Sequence, residues 1–183
     1  MQALSTEFNV YFNANESYKE GLNIIEKAHT DDYSTLLPMY PISVHSNASA
    51  AIPQMDRTIE KAEKAIKIHS IRKKPKKDQK RMQDPKFQAF LKQEEYNYRI
   101  DEVWLLLGKA QFHKAEFLAA VGTFTYTINH FSWEKDCVAE ARIWLAKSYI
   151  EMDWLYDAED ILIKANKEQI PSKLNALYAA TSA

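Results

Sequence analysis

The residues that could do chemistry in this chain are scattered rather than assembled. Five histidines stand at positions 29, 45, 69, 113 and 130. None belongs to an HExxH pair, the spacing that sets two imidazoles on one helix face around zinc. His29 closely precedes Asp31 and Asp32, which suits a polar contact at a helix end, and His113 and His130 read as surface or interhelix residues. Cys137 is the only cysteine, so neither an internal disulfide nor a thiolate zinc site is available. Glu134 and Asp136 precede it and disfavour a thiolate, so it reads as a small core residue rather than a nucleophile. Asp153, Asp157, Glu159 and Asp160 lack the spacing of a calcium loop and suit a turn with a solvated helix face. Glu94 and Glu95 read as an exposed pair. Gly108 stands outside any phosphate-binding loop, and no serine lies in GxSxG. The expectation is a non-enzymatic chain with no catalytic residues, cofactor, metal or small-molecule substrate.

The charge pattern narrows the partners. Lys and Arg number 24 against 25 Asp and Glu, a net charge of -1 that gives no global drive toward nucleic acid or membrane. One local excursion stands out, RKKPKKDQKR at 72–81, a candidate electrostatic patch of Arg72, Lys73, Lys74, Lys76, Lys77, Lys80 and Arg81. Such a run could meet phosphates, anionic headgroups or an acidic protein, but it lacks the aromatic array of a nucleic-acid module. Its plainest reading is a solvated helix end and connector. No stretch approaches 18 consecutive apolar residues, and MQALSTEF lacks the basic and apolar regions of a secretion signal, so a soluble fragment is expected.

The elements that must position these residues are helical. In DEVWLLLGKAQFHKAEFLAAVGTFTYTINHF, counted from Asp101, Trp104, Leu107, Gly108, Ala120 and Phe124 fall at positions 4, 7, 8, 20 and 24 of a tetratricopeptide helix pair. A second copy counted from Ala139 puts Leu145, Ala146, Tyr149, Ala158, Leu162 and Ala165 at positions 7, 8, 11, 20, 24 and 27. The starts lie 38 residues apart rather than the ideal 34, so about one helical turn is added, most simply where HFSWEKDC joins the units. Gly108, Ala120, Ala146 and Ala158 permit close helix approach, and Trp104, Phe124, Tyr149 and Leu162 supply the larger knobs. Two such units are marginal alone, so the preceding chain should add a layer.

The resulting expectation is an all-α fold, a right-handed superhelical stack of antiparallel helix pairs in one domain over 1–183. Residues 4–30 form a divergent helical hairpin, interrupted at Asn13, Asn15 and Ser17. A connector follows at 31–53, broken by Pro38 and Pro41. A helix at 54–71 buries Ile59, Ala62, Ala65 and Ile66, with Ile68 a further candidate for the same face, and turns Lys61, Lys64 and Lys67 to water. The basic connector covers 72–84, another helix 85–100, and the two repeats 101–134 and 139–170. The abrupt end at LNALYAATSA suggests a piece of a longer repeat protein.

Two longer segments carry a family resemblance. NVYFNANESYKEGLNIIEKAHTDDYSTLLPMYP at 9–41 and DPKFQAFLKQEEYNYRIDEVWLLLGKAQFHKAEFLAAVGTFTYTINHF at 84–131 resemble the N-terminal region of the PorW/SprE family. These are tetratricopeptide-containing lipoproteins of the Bacteroidota cell envelope, associated with type IX secretion and, in gliding species, motility. The resemblance implies a longer, lipid-anchored parent on the periplasmic side of the outer membrane, and a cysteine upstream that Cys137 does not match. It also implies a protein partner among the periplasmic ring or other components of that secretion system. An accessory subunit of an enzyme and a basic-patch nucleic-acid binder stay open as alternatives.

One surface follows from the repeat register. Positions 2, 5, 9 and 12 give Glu102, Leu105, Lys109 and Phe112 in one unit and Glu140, Ile143, Lys147 and Ile150 in the next. In a solenoid these rows face the concave side, where the apolar residues would desolvate a protein partner and the lysines would receive acidic groups. The competing reading is that they pack inside the fold.

Overall fold

A computed structural model describes residues 10–34, 37–76, 78–168 and 170–182. Its α-helices are α1 (Phe12–Ala28), α2 (His45–Ala50), α3 (Ile52–His69), α4 (Pro85–Leu91), α5 (Ile100–His113), α6 (Phe117–His130), α7 (Lys135–Glu151), α8 (Leu155–Lys167) and α9 (Asn175–Ser182). The fold is all-α and built from packed helix pairs. In chain order α1 packs on α3, α3 on α5, α5 on α6, α6 on α7 and α7 on α8, with α9 against α7 and α8.

The two repeat units close with the same turn. Ala115 and Asp153, 38 residues apart, both take the left-handed conformation, with φ of 64° and 61°. The following amide reaches back across the helix end at 2.9 Å in each, Glu116 to the Gln111 carbonyl and Trp154 to that of Tyr149. This is the Schellman pattern, which satisfies the last carbonyls of a helix and turns the chain back on itself. The inserted turn lies where the two units join: α7 has 17 residues against 14 in α5 and starts three residues ahead of Val138, the counterpart of Ile100.

Small residues set the helix spacing. A Cβ on Gly108 would lie 2.5 Å from the Phe124 ring, and one on Gly21 would lie 2.6 Å from Met55 Cε. A side chain at Gly108 would displace the buried Phe124 ring between α5 and α6, and one at Gly21 would displace the flexible end of Met55 between α1 and α3. Ala120 and Ala146 are fully buried and Ala158 nearly so, around buried Phe124 and Leu162. Trp104 and Tyr149 are half-buried instead: Trp104 lies against α3 with its ring tilted on Tyr126 at 4.3 Å, and Tyr149 stacks on Trp154 at 5.8 Å.

Several expected boundaries change. The interruption at Asn13, Asn15 and Ser17 does not occur, and α1 runs through all three. Asn13 faces solvent, and Ser17 bonds the Asn13 carbonyl at 3.0 Å, so both stay polar without breaking the helix. Residues 4–9 of the expected hairpin lie outside the described residues, and α1 pairs with α3 instead. The Thr58 hydroxyl donates to the Ala14 carbonyl, and Lys61, expected in water, reaches that of Asn13. The connector at 31–53 contains α2 and a 3₁₀ turn at Pro41–Ser43, and α3 begins at Ile52 with Pro53 in its first turn. The helix expected over 85–100 ends at Leu91. Glu95 explains why: its carboxylate accepts from the amides of Ile71, Tyr96 and Asn97 at 2.7, 3.0 and 2.8 Å, clamping residues 95–97 to the end of α3. Glu95 is therefore buried, not half of an exposed pair.

Candidate binding groove

The two rows of the expected binding face do come together, on α5 and α7, but most of that face is already occupied. Leu105, Phe112 and Ile143 are buried, with exposures of 6, 1 and 0 %. They cannot desolvate a partner. The cover is the chain's own: α1 packs Tyr18 and Ile25 into the same core, and Tyr40 and Ile42 fold back from the connector onto it. The Tyr40 ring meets the edge of Phe112 at 6.1 Å, and the Ser43 hydroxyl bonds the Glu151 carboxylate at 2.7 Å. The competing reading, internal packing, holds for Leu105, Phe112 and Ile143.

The charged residues are also engaged. Lys109 pairs with Glu140 across α5 and α7 and lies 5.6 Å from the Trp144 ring centroid. Glu102 pairs with Arg99 at 2.8 Å. The Lys147 ammonium sits over Tyr40 at 4.4 Å and Trp144 at 4.5 Å, with Phe112 at 5.9 Å. Rings hold a cation through their electron-rich faces, but they replace its water poorly. Burial accordingly lowers the Lys147 pKa to about 8; Glu151 opposes this and the charge of Lys109 adds to it.

Beside Lys147 a cavity of about 320 Å³ remains, walled by Leu22 and Ile25 of α1, Ile42 of the connector and Phe112 and His113 of α5. His113 bridges α1, α5 and α7. Its Nδ1 lies 2.8 Å from the Lys109 carbonyl, which can only accept, so the ring carries its proton there. Burial first, then the charges of Lys147 and Lys109, lower its pKa to about 4, so His113 is neutral at pH 7.

Ile150 is the member of the face left on an open apolar groove. With Met39, Leu155, Leu162, Ile163 and Tyr178 it lines a depression of about 430 Å³ between α7, α8 and α9. Trp154, Leu155, Tyr156 and Ile163 beside it are 47, 56, 89 and 45 % exposed. Large apolar side chains exposed around a groove are characteristic of a contact face.

The remaining candidates separate. Arg72, Lys73, Lys74, Lys76, Lys80 and Arg81 are exposed beyond the end of α3, and the Arg81 guanidinium covers the Phe87 ring at 4.5 Å. Lys77 lies outside the described residues. Cys137 is buried with its thiol directed at the Asp101 carbonyl at 3.8 Å, and burial pushes its pKa up. Among the described residues, no group of three or more His, Cys, Asp or Glu is placed to hold a metal ion. No described helix is long and apolar enough to cross a membrane.

Sequence reasoning missed the occupation of the groove by Tyr40 and Ile42. The signal was available, since LLPMYPI is too apolar for a connector lying in water. Compared with known proteins, the chain matches no family model and no curated sequence.

Proposed function

We propose that this chain is a non-enzymatic protein-interaction scaffold that docks partners through the groove at the α7–α9 end of its helix stack. The observation that carries this reading is the exposed apolar surface of Trp154, Leu155, Tyr156 and Ile163 beside the groove that half-buried Ile150 lines. The first unit has polar Glu116 and Thr125 where the second has Trp154 and Ile163, so two of the apolar positions are peculiar to the second. In the same proposal, the fold is a tetratricopeptide-like, right-handed superhelical stack, a reading supported by the identical turns at Ala115 and Asp153.

The setting we propose comes from the resemblance to the PorW/SprE family: the periplasmic side of the cell envelope, within a lipid-anchored outer-membrane parent that assembles or couples the type IX secretion machinery, and gliding where it occurs. The test is direct binding of the purified chain to periplasmic ring and other components of that system. Wild type is compared with a Leu155→Glu plus Ile163→Glu double variant, whose sites are exposed enough to leave helicity and the unfolding midpoint intact. The expected result is binding by wild type and a loss of about tenfold or more in the variant, as for a central apolar contact. Equal affinities would remove the groove from the account, and no binding to any component would remove the secretion assignment.

A further inference from the structure

A second cavity, unrelated to the groove, lies where the segment after α4 meets the start of α5 and the α6–α7 joint. Its volume is about 140 Å³. A water molecule occupies about 30 Å³ of liquid, so the space admits a head group of several non-hydrogen atoms. The wall combines two kinds of side chain. Phe90, Tyr96, Tyr98, Phe131 and Trp133 contribute rings. Phe90 meets Tyr96 at 5.2 Å and Phe131 meets Trp133 at 5.7 Å, both edge to face, so the rings form two angled corners.

The other kind is acidic. Every charged side chain in this wall is a carboxylate, namely Glu95, Asp101 and Glu134. Glu95 is anchored by neutral donors, the amides of Ile71, Tyr96 and Asn97. Asp101 is 9 % exposed, and its Oδ1 is buried without a hydrogen-bond partner. A carboxylate oxygen in that state costs free energy unless something supplies a proton or a cation. Burial raises the Asp101 pKa to about 6; the Glu102 amide opposes this, and the charges of Glu102 and Glu134 add to it. Arg99 does not supply the missing charge, since it pairs with Glu102 and lies over Tyr98 at 5.3 Å.

We propose that this cavity binds an organic monocation, an ammonium or guanidinium head on a short alkyl stem, with the rings of Phe131 and Trp133 against the cation and Asp101 as its counter-ion. The three carboxylates do not converge closely enough to make a metal site, whereas a larger cation gains from aromatic faces and carboxylates together. The head group could belong to a free amine or to the tip of a Lys or Arg side chain. Both present the same chemistry.

The experiment is an amide and indole NMR titration of the whole chain with n-butylammonium, n-butylguanidinium and neutral n-butanol. A fourth arm uses lysine blocked at both backbone ends. Saturable shifts at Asn97, Asp101 and the Trp133 indole with the cations, and none with butanol, are expected. Asp101→Asn keeps the shape and should weaken binding by about tenfold or more, the factor carried by one charge-assisted contact. Glu134→Gln, at an exposed site that tolerates change, should weaken it less. If blocked lysine binds like butylammonium, the pocket suits a side chain; if only the free amines bind, it suits a small amine. Butanol binding as well as the cations would overturn the proposal, as would absent shifts at the cavity or unchanged affinity in both variants.

Discussion

The α5–α6 and α7–α8 pairs share a register, a turn and a set of small residues, yet they meet solvent differently. The first pair is enclosed by α3 on one side and α7 on the other. At its position 17 Phe117 packs on Phe112 at 5.5 Å, whereas the counterpart Leu155 is 56 % exposed. At position 25 the enclosed pair has exposed Thr125, and the outer pair has Ile163. Equivalent places in a repeat therefore have equivalent backbone geometry but not equivalent surroundings. The neighbours decide which rows become core, and the residue types change with them.

The largest test of that contrast is at position 24. Phe124 is fully buried between neighbours, so Phe124→Ala should cost about 3–5 kcal/mol in chemical denaturation. Leu162 is 8 % exposed at the outer edge, and Leu162→Ala should fall near the lower end of the roughly 2–5 kcal/mol range for that substitution. Equal losses would mean that the two units are equally enclosed.

A smaller effect tests the shared turn. Ala115 and Asp153 both have positive φ, which an L side chain adopts at a cost of roughly 1–2 kcal/mol and glycine adopts freely. Ala115→Gly should raise the unfolding free energy by about 1 kcal/mol. Asp153→Gly should gain less, because aspartate tolerates this conformation better than alanine does. A loss of stability at Ala115 would show that the helix end does not close through a left-handed residue.

How much of this was legible in the sequence depends on the range of the forces involved. The repeat helices, the close approach at Gly108 and the added turn before Val138 follow from side-chain size and local periodicity, which the sequence displays directly. The continuity of α1 through Asn13, Asn15 and Ser17 was hidden, because polar side chains that break an isolated helix are tolerated when the rest of the helix packs against α3. The early end of α4's segment was hidden too, since Glu95 acts through a contact with Ile71, 24 residues away. The expected binding face shows the same limit. Its register placed eight residues in two matching rows, but only tertiary structure reveals that Leu105, Phe112 and Ile143 are buried and that Tyr40 lies over Lys147, while Ile150 stays on an open groove. Lys109 and Lys147 are accordingly parts of the packing between α5 and α7, and reversing their charges would disturb the fold before it tested any partner.

The central claim is that the chain's own connector closes the surface formed by α5 and α7. Lys147 reports on it directly, because Tyr40 and Trp144 lie against its ammonium. An NMR titration of the Lys147 side chain should give a pKa of about 8, lowered from the ordinary 10.5 by burial. The sign follows: the folded state gives up this proton first, so the Lys147 contribution to stability should rise as pH passes from about 8 to 10.5. Tyr40→Ala should return the pKa toward 10.5 by readmitting water. A wild-type Lys147 that titrates near 10.5 would contradict the account, since its ammonium would then stand in an open groove.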